Sequence, residues 1–208
     1  MLRFIPNILT FARIGLTVAF LIMIICTPAP GTENRAFFLD VVFVIFITAG
    51  VTDIIDGPIA RKLNVASKFG RMMDPLADKI LICGAFICFA IIGEPKLFGF
   101  GRKTLKVIQW SIAAILISRE AYVTVLRHLA EARGINFAAT ISGKIKMFLQ
   151  SFAIGTVIIK MAHVPTAAWG YWFTTATIIV MLTVTVISGL RATRRISTPP
   201  KTRNIAPQ

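Results

Sequence analysis

Four of the nine carboxylates in this 208-residue chain fall in one stretch, VTDIIDGPIARKLNVASKFGRMMDPLADKI, from Val51 to Ile80. Asp53 and Asp56 are spaced i,i+3 and Asp74 and Asp78 i,i+4, so each pair shares one face of a helix. Apolar blocks lie on both sides, and in lipid a carboxylate costs about 2.5–3.5 kcal/mol on insertion scales. Four close together also repel one another. Hard divalent cations with oxygen ligands offset both costs, and magnesium suits a site that must also accept phosphate. The pattern therefore predicts a metal site built from Asp53, Asp56, Asp74 and Asp78. Helix capping is the competing reading for Asp74, which precedes Pro75 as an N-cap precedes a proline at N1. It does not account for the other three.

Between the two pairs, residues 57–73 carry Arg61, Lys62, Lys68 and Arg71 and read as a polar loop at a membrane surface. Gly57, Ala60, Ser67 and Gly70 lack bulk there and allow a ligand to come close to the backbone. Arg61 adds a guanidinium fork matched to phosphate. Pro58 is expected to end or bend the preceding helix. Two antiparallel helices joined by such a loop would gather the four carboxylates near one surface. Metals, a phosphate-binding arginine and a lipid setting together point to a nucleotide-activated lipid.

The elements that must position these residues are six apolar blocks, approximately Ile8–Thr27, Phe37–Asp53, Pro75–Gly93, Leu105–Leu126, Met147–Met161 and Trp172–Leu190. Crossing a bilayer as a helix takes about 20 residues. In lipid the backbone must satisfy its own hydrogen bonds, so the expected fold is an all-α integral membrane protein, a six-transmembrane-helix bundle over residues 1–195. Residues 196–208 are polar and proline-bearing and read as a disordered cytoplasmic tail. Arg13 interrupts the first block, and Pro28-Ala29-Pro30 is a poor cleavage site, so that block reads as a retained helix.

The formal charge of +14 flanks the apolar blocks. It points to anionic lipid as a partner and away from nucleic acid. With the N-terminus inside, fourteen lysines and arginines fall on the cytoplasmic side, against six outside, including Lys96, Lys106 and Lys160. Both termini and the acidic stretch are then cytoplasmic. Three cysteines within apolar blocks, with no CxxC or Cys/His spacing, read as small hydrophobes.

Asp53-x-x-Asp56-Gly57-x-x-Ala60-Arg61, eight residues, then Gly70-x-x-x-Asp74-x-x-x-Asp78 resembles, position by position, the signature of the CDP-alcohol phosphatidyltransferases. That resemblance implies a dimeric six-helix membrane enzyme that uses a CDP-linked lipid and two divalent ions, Mg²⁺ with Mn²⁺ as a substitute. It implies that the four aspartates hold the ions and that Asp78 also accepts the proton of the attacking hydroxyl. Gly57, Ala60, Arg61 and Gly70, with Ser67 among them, would face CDP-diacylglycerol. Asn7, Thr10 and Arg13 form a polar stripe at i, i+3 and i+6. They are similar to residues lining the CDP-lipid site in this family, and Arg13 in particular needs a partner inside the bundle.

The remaining cations bear on the acceptor. Arg119 and Arg127 are separated by roughly 12 Å along a helix, which puts Arg119 at a depth comparable to Asp78 if Arg127 is near the surface. A buried arginine there would anchor an anionic acceptor; an ion pair with Glu120 is the alternative. Lys144 and Lys146 open the fifth block and could join the acceptor site or snorkel to the interface. ISREAYVTVLR and GKIKMFLQ resemble the family branch whose acceptor is glycerol 3-phosphate. The implied reaction is transfer of the phosphatidyl group of CDP-diacylglycerol to glycerol 3-phosphate in a bacterial cytoplasmic membrane. Two rivals are the branch that uses phosphatidylglycerol as acceptor and an ion-coupled transporter. No internal repeat supports the transporter.

Overall fold

Six stretches fold as α-helices: α1 (Ile5–Ile25), α2 (Arg35–Lys62), α3 (Lys68–Ile92), α4 (Arg102–Ala132), α5 (Ile141–His163) and α6 (Ala168–Ser197). The computed structural model describes residues 5–62, 68–97, 100–132 and 141–197, with the side chains at 5–10, 53–75, 131, 141–142 and 195–197 outside that description. Among the described residues there is no strand.

The helices run farther than the apolar blocks. The 28 residues of α2 give a length of about 42 Å, against a hydrocarbon core of about 30 Å. Its last turns therefore extend beyond the lipid depth and carry Arg61 and Lys62. This corrects the expected polar loop over 57–73: α2 continues through Pro58 to Lys62, and α3 already begins at Lys68. Proline's fixed φ is compatible with a helix, and its cost here is the missing N–H bond to the Ile54 carbonyl. Asp74 and Pro75 lie well inside α3, so the capping reading of Asp74 falls. At the other end of the chain, α6 runs to Ser197, just past the expected start of the tail.

By length and apolarity, three described segments qualify as full membrane spans: Arg35–Thr52, Gly143–His163 and Ala168–Arg194. The described apolar run of α1 is Phe11–Ile25, and Arg119-Glu120 interrupts the apolar run of α4; the six helices expected from sequence are all present. All six helices expose large apolar side chains, among them Phe11, Val44, Ile80, Trp110, Phe148 and Trp172. An apolar outer surface shared by every helix fits a bundle surrounded by lipid.

Contacts at the helix ends fix which connections share a side. His163 at the end of α5 meets Asp40 near the start of α2, Nε2 to Oδ1 at 2.7 Å. Lys160 Nζ donates to the Lys96 carbonyl at 2.8 Å and lies 4.3 Å from the centre of the Tyr171 ring. The α1–α2, α3–α4 and α5–α6 connections therefore lie at one end of the bundle. Lys160, counted by sequence among the outside charges, is buried and braces this end. Gln109 helps, its Nε2 donating to the Pro95 carbonyl at 3.2 Å. Gly93, at φ +79°, ends α3 in the left-handed region, and Glu94 N–H closes the turn on the Phe89 carbonyl at 2.9 Å.

The core is apolar and centred on α1, α2, α3 and α5. Phe20 and Phe46 pack with ring centroids 5.2 Å apart, and Leu39, Val42, Leu116, Ile154 and Met181 are buried around them. Small side chains (Ala49, Ala85, Ala113 and Ala153) let the backbones approach closely. α1 and α3 approach closely at Gly84, where a Cβ would stand 2.8 Å from Leu21 Cδ1. Gly84→Leu is expected to overpack this seam and cost about 1–3 kcal/mol, seen as a lower unfolding midpoint in detergent. Adding Leu21→Ala should recover part of the loss, whereas strictly additive effects would argue against the contact.

Candidate active site

Asp78 and Lys79 lie in the first half of α3, toward the end of the bundle opposite the Lys160 brace. Lys79 Nζ donates to Thr124 Oγ1 on α4 at 2.7 Å, and that hydroxyl donates to the Glu120 carbonyl at 2.6 Å. Asp78 and the Arg119-Glu120 pair are thus held within about a helical turn of the same level.

Glu120 is the centre of a buried ionic cluster. Its Oε1 accepts from Arg119 Nη1 at 3.1 Å and from Lys146 Nζ on α5. The three side chains are only 11%, 12% and 8% exposed for Arg119, Glu120 and Lys146 respectively. Arg119 also crosses to α6, with Nε donating to the Thr185 carbonyl at 3.3 Å and Nη2 to Ser188 Oγ at 2.8 Å. Its stem runs past Gly189, where a Cβ would meet Arg119 Cγ at 3.4 Å. Each guanidinium nitrogen therefore has a protein partner. Two cations share one carboxylate, so the trio carries one excess positive charge in a poorly solvated place. Such a cluster is suited to an anion.

The acceptor residues expected from sequence thus divide. Arg119 and Lys146 come together. Lys144 and Arg127 are exposed. Residues two apart on a helix do not share a face, which is why Lys144 and Lys146 separate. Arg119 is paired with Glu120, as the alternative reading had it.

The remaining sequence candidates are placed by backbone. Asp53, Asp56, Gly57, Ala60 and Arg61 lie on the last part of α2, and Gly70 and Asp74 on the first part of α3. Their side chains lie outside the described residues, as does all of Ser67. Asn7 and Thr10 lie on α1, also without described side chains. Arg13 is 2% exposed and engaged inside the bundle, with Thr17, likewise buried, one turn farther along α1. The donor chemistry of the four aspartates fits hard divalent ions: each pair falls on a single continuous helix, and consecutive helices bring the two pairs to one end.

Sequence reasoning overlooked Lys79, Thr124, Ser188 and Gln150. Gln150 had a usable signal, since it is spaced i,i+4 from Lys146 within GKIKMFLQ. Lys79 had another, as a cation inside an apolar block beside Asp78. All three cysteines are free.

The chain is 33% identical over 156 residues to the probable phosphatidylglycerophosphate synthase of Mycobacterium tuberculosis, covering 75% of this chain and 66% of that protein. It is 32% identical over 197 residues to the CDP-diacylglycerol–glycerol-3-phosphate 3-phosphatidyltransferase of Bacillus subtilis, covering 88% of this chain and 90% of that one. An enzyme of that same description from Rickettsia bellii is 33% identical over 154 residues, 74% of each chain. Residues 3–193, nearly the whole sequence, match the family described as CDP-alcohol phosphatidyltransferase, and the chain belongs to that family.

Proposed function

We propose that the chain transfers the phosphatidyl group of CDP-diacylglycerol to glycerol 3-phosphate, giving phosphatidylglycerophosphate and CMP. Membership of the family makes it a membrane-embedded phosphatidyltransferase. The names of the relatives support this donor and acceptor. The observation that carries the acceptor is the Arg119–Glu120–Lys146 cluster, buried at the level of Asp78 with one positive charge in excess. A neutral acceptor such as inositol gives that charge no use and a cationic one such as choline is repelled by it, whereas a phosphomonoester neutralises it.

In this reading the primary hydroxyl of glycerol 3-phosphate attacks the phosphorus bonded to diacylglycerol. A new O–P bond forms, the bond to the CMP oxygen breaks, and the hydroxyl proton passes to Asp78. Arg61, with Gly57, Ala60, Ser67 and Gly70, holds the pyrophosphate and cytidine end. Asn7, Thr10 and Arg13 line the lipid side of that site. Lys146 meets the acceptor phosphate. Asp53, Asp56, Asp74 and Asp78 would hold two Mg²⁺ ions (Mn²⁺ as a substitute), which when bound stabilise charge on the attacking and leaving oxygens.

The site faces the cytoplasm of a bacterial cell in this proposal, with both termini on the same side of the cytoplasmic membrane. The basic residues Arg61, Lys62, Lys68, Arg71, Arg127 and Lys144 at this end support that orientation and an anionic lipid surface around it. Assembly as a homodimer belongs to the same proposal.

The direct test supplies purified protein with CDP-diacylglycerol and Mg²⁺, offers glycerol 3-phosphate, phosphatidylglycerol, serine and inositol phosphate in parallel, and follows CMP release. Glycerol 3-phosphate is expected to be the acceptor consumed; turnover on phosphatidylglycerol alone would replace this reading with the cardiolipin one. Excess EDTA should abolish CMP release and added Mg²⁺ restore it, while Asp53→Asn should be inactive yet folded. Substantial turnover in EDTA would refute the metal assignment. Lys146→Met removes a charge-assisted contact worth about 1.5–3 kcal/mol, so the KM for glycerol 3-phosphate should rise roughly ten- to hundredfold. Arg61→Gln should instead raise the KM for CDP-diacylglycerol, and an exchange of these two effects would show the sites to be misassigned.

A further inference from the structure

Gln150 is a buried polar side chain that the proposed reaction leaves unused. It is 1% exposed, and its Nε2 has no hydrogen-bond partner. It lies on α5 one turn beyond Lys146, on the same face, and approaches Glu120 without reaching hydrogen-bonding geometry. An unsatisfied buried N–H is destabilising, and an apolar side chain of similar shape would avoid that cost. The next turns of α5 make that apolar choice: Ala153, Ile154, Val157 and Ile158 are all buried. The amide at 150 therefore departs from the apolar packing of the described turns that follow it, close to the ionic cluster.

Anchoring, more than donor count, separates the members of the cluster: the guanidinium of Arg119 is fixed at every nitrogen, by Glu120, Thr185 or Ser188, whereas the Lys146 ammonium is tied at one point. Lys146 has three ammonium protons and gives one bond to Glu120. Lys146 and Gln150 thus have N–H groups to spare, one turn apart, beside a cluster with net positive charge. Spare N–H donors around excess positive charge are the chemistry that receives oxyanion oxygens.

We propose that Gln150 is a further substrate-binding residue that donates, together with Lys146, to the oxygens of the acceptor's phosphate. Arg119 and Glu120 are positioning residues, which tie Lys146 to α4 and α6 without touching the acceptor. This inference rests on the phosphomonoester reading of the acceptor given above.

The test uses the purified full-length Gln150→Leu protein in detergent, with Gln150→Met as a second apolar replacement should the first fail to fold. Loss of one such bond is expected to raise the KM for glycerol 3-phosphate about tenfold, the equivalent of 1.4 kcal/mol, with the KM for CDP-diacylglycerol unchanged. The unfolding midpoint should hold or rise, because the replacement removes an orphan amide; a purely structural glutamine would show a fall. Glycerol 3-phosphate at a concentration that raises the wild-type midpoint should raise that of the variant less. A KM for glycerol 3-phosphate within twofold of wild type, or a rise confined to CDP-diacylglycerol, would overturn the proposal. If wild type ignores glycerol 3-phosphate and consumes phosphatidylglycerol, the acceptor reading itself fails. Gln150 is then judged on the KM for phosphatidylglycerol, where a tenfold rise upholds its role and no rise overturns it.

Discussion

Glu120 is held between Arg119 on its own helix and Lys146 on α5, and most of the polar architecture at this end depends on that sharing. A charge in an apolar bundle must be paired, and removing one partner of a buried pair typically costs about 3–5 kcal/mol. Arg119 extends the constraint to α6 through Thr185 and Ser188, and Lys79 brings α3 to the same place through Thr124. Four helices are thereby set in register by polar contacts that cannot slide without exposing a charge to lipid. Apolar packing alone is less directional, since lipid tails solvate a leucine about as well as the core does.

The division of charge along the chain gives this register its chemical use. Carboxylates lie on the last part of α2 and the first part of α3, and buried cations gather on α4 and α5. A phosphatidyl transfer needs both: negative groups that compensate bound cations and take a proton, and positive groups that hold a phosphate without delivering a metal. At the opposite end, Lys160 and Gln109 are spent on loop carbonyls and Glu94 on the Lys96 N–H. The two ends thus differ in kind, one braced internally and the other with donors in reserve.

The number and rough positions of the helices were legible because apolar blocks of membrane length leave little choice of fold. Their ends were not, since hydrophobicity stops where lipid stops, whereas the backbone of α2 and α3 stays helical for several more turns into polar sequence. Pro58 and Asp74 misled for that reason, each being a legitimate stop or start signal inside a continuous helix. In the site, the carboxylate spacing pointed to α2 and α3 directly, and Arg119 and Lys146 were readable as charges that apolar blocks must accommodate. Their joint attachment to Glu120 was not readable, because it depends on how α4 and α5 face each other. Gln150 escaped notice because a single amide carries no cost signal until its burial is known.

The central claim is that Glu120 and Lys146 act as one buried charge pair rather than as two independent polar residues. A double-mutant cycle with Glu120→Gln and Lys146→Met, read as unfolding free energy in detergent at fixed lipid content, measures this directly. The account predicts that Glu120→Gln alone is strongly destabilising, because it leaves two cations together, and that adding Lys146→Met recovers part of the loss. The coupling should fall in the range of about 0.5–3 kcal/mol seen for residues in contact. Effects that simply add would contradict the account.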